Sequence, residues 1–113
     1  MTIKEFLNLT DAKLLNEGID EGRKLTCGYS CDLLSWVMSH GAAGMGWITV
    51  QTHMNVVAVA SLMDMAAIIV PEGIQVEQNV VDKAAEEGIA MISSPKTAYE
   101  LCGLMYKAGV AAN

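Results

Sequence analysis

Basic residues are scarce in this chain. Its 113 residues hold seven Lys plus Arg against thirteen Asp plus Glu, a formal net charge of −6, and Arg23 is the sole arginine. Phosphate backbones are gripped by Lys and Arg that displace counterions, so the missing basic stripe excludes nucleic acid as a partner. The same deficit excludes an anionic membrane surface. No apolar run reaches the ~20 residues that a bilayer span requires. The most apolar stretch, Met54 to Val70, is interrupted by Asn55, Ser61 and Asp64. The start, Met1-Thr2-Ile3-Lys4-Glu5, has no apolar stretch behind a basic one, so no secretory signal is expected. Cysteine is limited to Cys27, Cys31 and Cys102, and an odd count suits reduced cytoplasmic thiols better than a disulfide framework. Structural zinc wants four soft ligands in tighter pairs than Cys27-x-x-x-Cys31, so neither a metal nor another cofactor is expected. There is no Gly-Lys-Ser or Gly-Lys-Thr, hence no P-loop.

Apolar residues are plentiful. They make up 52% of the chain, and charged residues 18%, against roughly 25% charged in ordinary domains. The length suits one domain, 1–113, with one core. So small and so apolar a domain cannot hide all of its hydrophobic surface, and a homodimer is the expected remedy.

Helical spacing of Ile3, Phe6 and Leu7 predicts a short first helix. Ala12 to Leu15 reads as a brief strand, and Gly18 and Gly22 bracket a polar turn. From Arg23 to Tyr29 the pattern alternates, with Leu25, Cys27 and Tyr29 on one face, as in a half-buried strand. A helix follows from Cys31 to Gly41, capped by Ser30 or by Asp32. Its Leu33, Leu34, Trp36, Val37 and Met38 spread around most of the circumference, so more than one side must be covered. This makes it either a subunit interface or a helix buried within one chain. Gly41-Ala42-Ala43-Gly44-Met45-Gly46 follows a helix and enters a strand. A phosphate-cradling loop has the reverse order, so this run is a turn. Then come a strand over Trp47–Val50, a helix over Thr52–Met63, a buried strand over Ala67–Val70 and a helix over Val76–Glu87. A buried strand over Ile89–Ile92 and a last helix to Gly109 complete the series. That helix begins either with Pro95 behind a Ser94 cap or with a Thr97–Glu100 capping box. Three successive strand–helix units define an α/β domain built on a compact parallel sheet.

Parallel sheets bind ligands outside the carboxyl ends of their strands. Those ends are the loops Gln51-Thr52-His53-Met54-Asn55, Pro71-Glu72-Gly73 and Ser93-Ser94-Pro95-Lys96-Thr97. The candidate ligand-binding residues are therefore Gln51, Thr52, His53, Asn55, Glu72, Ser93, Ser94, Lys96 and Thr97. The first and third loops run into helix N-termini, which suit a phosphate or carboxylate; ordinary capping is the competing role. His53 could serve as an acid or base, but no second titratable group can be set against it from the sequence.

Three stretches carry a family resemblance: Cys31-Asp32-Leu33-Leu34-Ser35-Trp36-Val37-Met38, the Trp47 to Ala60 segment WITVQTHMNVVAVA, and the Ala84 to Glu100 segment AAEEGIAMISSPKTAYE. From about Arg23 to Gly109 the chain resembles the small stand-alone DRTGG-domain proteins, which are similar to the N-terminal domain of HPr kinase. The resemblance implies a non-catalytic regulatory module, often dimeric, that takes a nucleotide or phosphorylated metabolite or acts on a partner protein. A protein adaptor without a ligand is the variant, and a small enzyme using His53 is the alternative from another class. A serine-kinase role is excluded, because that chemistry needs a P-loop domain. The signature Asp-Arg-Thr-Gly-Gly is expected just after the Trp47–Val50 strand, and Gln51-Thr52-His53-Met54-Asn55 stands there instead.

Overall fold

Thr2 and Glu5 start the first helix reciprocally. The Thr2 hydroxyl accepts from the Glu5 N–H, and the Glu5 carboxylate accepts from the Thr2 N–H, which satisfies two otherwise free donors. The computed structural model describes residues 1–113. Its elements are α1 (Ile3–Thr10), β1 (Lys13–Leu14), β2 (Cys27–Ser30), α2 (Leu34–His40), β3 (Met45–Ile48), α3 (Met54–Leu62), β4 (Ala67–Val70), α4 (Gln78–Glu86), β5 (Ala90–Ser93) and α5 (Ala98–Lys107).

The strands form one sheet in the order β1-β5-β4-β3-β2. β2 to β5 run parallel, as the alternation of strands and helices requires. β1 joins this sheet at its edge and pairs antiparallel with β5, Lys13 opposite Ser93 and Leu14 opposite Ile92. Asn16 extends this edge with a side chain in place of backbone. Its amide donates to the Ile89 carbonyl at 2.8 Å, and its oxygen accepts from the Met91 N–H at 3.1 Å.

Both faces of the sheet are covered, and successive strand residues serve opposite faces. Met45, Trp47, Ile68, Val70 and Met91 pack with Val37 of α2, Val56 and Ala60 of α3, and Val80 and Ala84 of α4. Ile48, Ala67, Ile69, Ala90 and Ile92 pack with Phe6 of α1 and with Leu101 and Met105 of α5. Fully burying one such aliphatic side chain stabilises the fold by about 1.5–3 kcal/mol. Cys27 lies in the first cluster, as its strand alternation predicts. Met105 presses onto Gly28 and Gly46. A Cβ at either would come within 3.1 or 3.3 Å of its Cε, so glycine lets α5 sit this close.

β3 begins and ends two residues earlier than predicted. Gly44, at φ +78, makes the turn and frees Met45 to pair. Beyond Ile48, the side chain of Asp32 takes the Thr49 hydroxyl and the Val50 N–H, each at 2.9 Å. Asp32 is therefore not a helix cap, and neither is Ser30. α2 starts behind Leu33 without any side-chain cap. At the other boundary, the capping box of Thr97 and Glu100 starts α5, so Pro95 lies before the helix. No helix is long and apolar enough to cross a membrane.

Candidate functional site

The carboxyl ends of the strands form two separate polar clusters. The first joins the ends of β2 and β3. Asp32 receives the two hydrogen bonds just described, and its carbonyl accepts from the Gln51 amide at 3.1 Å. The Thr49 hydroxyl, itself buried, accepts from the Gln51 N–H. Trp47 closes the cluster from below by donating its indole N–H to the Cys31 carbonyl at 2.8 Å. Gln51 is thus a structural brace.

The second cluster joins the ends of β4 and β5. The Glu72 N–H bonds to the Lys96 carbonyl and the Gly73 N–H to the Ser94 carbonyl, both at 2.9 Å. Glu72 and Gly73 both have positive φ, 64 and 66. Two cross-loop hydrogen bonds offset the strain of the non-glycine residue, of order 1–3 kcal/mol. Ser93 closes this strand, paired with both Val70 and Lys13.

The nine candidate residues do not converge on one cavity. α3 leaves the edge toward one face of the sheet and α5 toward the other. Ser94 is corrected as a ligand group, being fully buried with its hydroxyl accepting from the Lys96 N–H. The Thr97 hydroxyl is occupied by Glu100. Thr52 is half-buried, and His53 and Asn55 are exposed at the start of α3, whose cap makes no side-chain hydrogen bond. His53 has no carboxylate within ion-pairing distance. Acid–base catalysis needs a second converging group, so the chemistry considered for His53 lacks its partner. Lys96 also stands outside every ion pair.

Lys96 alone of the nine borders the main cavity. This groove of about 960 Å³ lies on the α5 face. Its floor is Gly28, Ser30 and Ile48, at and near the carboxyl ends of β2 and β3, and its wall is Tyr99 and Met105. Tyr99 is 89% exposed, held out by the first turn of α5. The volume is at the upper end of ordinary small-ligand pockets, about 300–1,000 Å³. Sequence reasoning did not find this groove, because it depends on a glycine in β2 and on how α5 lies across the sheet. No three or more His, Cys, Asp or Glu side chains gather as metal ligands.

Of the predicted interface residues, Val37 is corrected. It is fully buried in the chain's own core. Leu34 is half-buried, while Leu33, Trp36 and Met38 are 62%, 53% and 47% exposed.

This architecture is that of a mixed α/β domain with a five-stranded sheet. No family model matches the chain, and no curated protein matches it. Among solved structures it is similar to the regulatory region of the Clostridium perfringens pyrophosphatase, containing CBS and DRTGG domains and solved with its activator, diadenosine tetraphosphate. The TM-score is 0.75 at 17% identity, over 92% of this chain and 45% of that one. The chain thus spans less than half of that regulatory region, and the likeness is one of fold.

Proposed function

We propose that this chain is a non-catalytic regulatory module of the DRTGG type, similar to the N-terminal domain of HPr kinase. Residues 1–113 act as one domain and work as a homodimer in the cytoplasm. Its ligand is a nucleotide or another phosphorylated metabolite, held in the groove beneath α5. The observation that carries this reading is the position of the groove. It opens where β2 and β3 end, with an unpaired Lys96 and an exposed Tyr99 at its rim. An aromatic ring suits a planar base, and a lysine suits a phosphate. The activator bound by the pyrophosphatase region is itself a nucleotide, which supports this ligand class.

A thermal-shift screen of nucleotides and phosphorylated metabolites tests the proposal. A true ligand at 100 times its dissociation constant adds roughly 2.7 kcal/mol of stability. That stabilisation should vanish in Lys96→Ala and Tyr99→Ala. No shift with any compound at millimolar concentration would overturn ligand binding. A second reading, a protein adaptor without a ligand, is favoured by one observation. Ser94 and Thr97, the best anion-binding candidates at the β5 end, are occupied by their own backbone and by Glu100.

A further inference from the structure

We infer that a second copy of this chain docks on the layer formed by α2, α3 and α4, with Trp36 of each copy seated in the α3–α4 groove of the other. The inference deepens the dimeric part of the proposed function and does not depend on the ligand.

Three observations carry it. The first is charge. Neither Leu34–His40 nor Met54–Leu62 contains a single Asp, Glu, Lys or Arg. Two copies of a chain of net charge −6 repel each other, so their closest approach belongs on α2 and α3, with α4, which carries Asp82, Lys83 and Glu86, toward the edge of the contact. The second is exposed apolar surface. Leu33, Trp36 and Met38 on or beside α2, and Met54 and Leu62 on α3, are each at least 40% exposed. With exposed Ala58, Met54 and Leu62 recur every fourth residue, a stripe along the outer side of α3. The molecule measures 25 to 32 Å along its axes, just enough for the ~800 Å² that each partner gives a standard interface.

The third is shape. α3 lies between α2 and α4. On its far side is a groove of about 360 Å³ lined by Met54, Val57, Ala58 and Leu62, with Lys83 and Glu87 at the rim. On α2 stands Trp36, stacked on His40 with ring centroids 4.5 Å apart; His40 in turn stacks on Tyr29 of the edge strand β2 at 6.0 Å. The stack holds the indole in place before contact, so less side-chain freedom is lost on docking. A knob on α2 and a hole between α3 and α4 satisfy a two-fold axis midway between them, because each copy then offers its knob to the other's hole.

Sedimentation of the full chain over a range of concentrations, without ligand, tests this. The wild type should dimerise. Trp36→Ala and Ala58→Glu should each weaken the dimer by ~30-fold or more, the effect of losing an interface anchor. Both positions are exposed, and the buried emission of Trp47 reports that each variant stays folded. An equimolar mixture of the two variants should form a heterodimer, seen by native mass spectrometry, tighter than either variant alone. Only that pairing keeps one intact Trp36 against one open groove. A monomer at every concentration, a dimer indifferent to both substitutions, or a mixture no tighter than its components would overturn the inference. Neither Trp36 nor Ala58 lines the ligand groove, so failure here is read separately from failure of the ligand screen.

Discussion

Asp32 and Thr49, seventeen residues apart in the chain, are joined by a 2.9 Å hydrogen bond from hydroxyl to carboxylate. The bond ties the start of α2 to the end of β3. It also decides where β3 stops, because the same carboxylate oxygen takes the Val50 N–H.

Asp32→Ala should therefore destabilise the protein by about 1–3 kcal/mol, because it strands the buried Thr49 hydroxyl. Asp32→Asn should cost less, since an amide oxygen still accepts. In a urea-denaturation double-mutant cycle with Thr49→Val, the two losses should not add.

Gly44→Ala should cost about 2–4 kcal/mol, combining left-handed strain with overpacking. The added methyl would fall 2.6 Å from Thr26 Cγ2 and 2.7 Å from its hydroxyl, which donates to the Ala43 carbonyl. Thr26→Ala in the same chain should recover part of the loss. Thermal denaturation of the three variants decides this.

Gly103 behaves oppositely. It sits in the middle of α5, exposed, with nothing within 4 Å of a built Cβ. Gly103→Ala should raise stability by about 1 kcal/mol through helix propensity, read as a higher midpoint in urea.

Two carboxylates contribute to the acid limb of the stability profile. The Thr2 N–H, helped by the Thr2 hydroxyl, holds Glu5 below the usual glutamate range. The Ser61 hydroxyl, then Lys83, does the same for Glu87. Both pKa values are lower in the folded chain than in the unfolded one. Their stabilisation is therefore present above the ordinary glutamate pKa and lost as pH falls through the folded value. Glu87, and then Glu86, hold Lys83 above the usual lysine range, so its contribution is lost only as pH rises through that higher value. Glu5→Gln and Glu87→Gln should each lower stability at neutral pH, flatten the acid limb of a pH–stability curve and converge on the wild type at low pH.

Periodicity alone determined much of this protein. Alternating burial of Leu25, Cys27 and Tyr29, the all-apolar Ala67–Val70 run and the Thr97–Glu100 spacing are local signals, because side-chain direction repeats every two residues in a strand and every 3.6 in a helix. The scarcity of basic residues and the lack of a Gly-Lys-Ser or Gly-Lys-Thr were equally plain in the sequence. The tertiary structure alone decided what depends on distant partners. β1 pairs antiparallel with β5, and Asn16 beyond it meets Ile89 and Met91 across more than seventy residues. Asp32 became a brace because Thr49 folds against it. Val37 went inside while Trp36, its neighbour, stayed out, because the sheet covers only one side of α2 and an apolar sequence cannot say which side that is. Ser94 was sealed and Lys96 left at a groove for the same reason: α5 crosses one face of the sheet at a height set by Gly28 and Gly46, a contact no local pattern encodes.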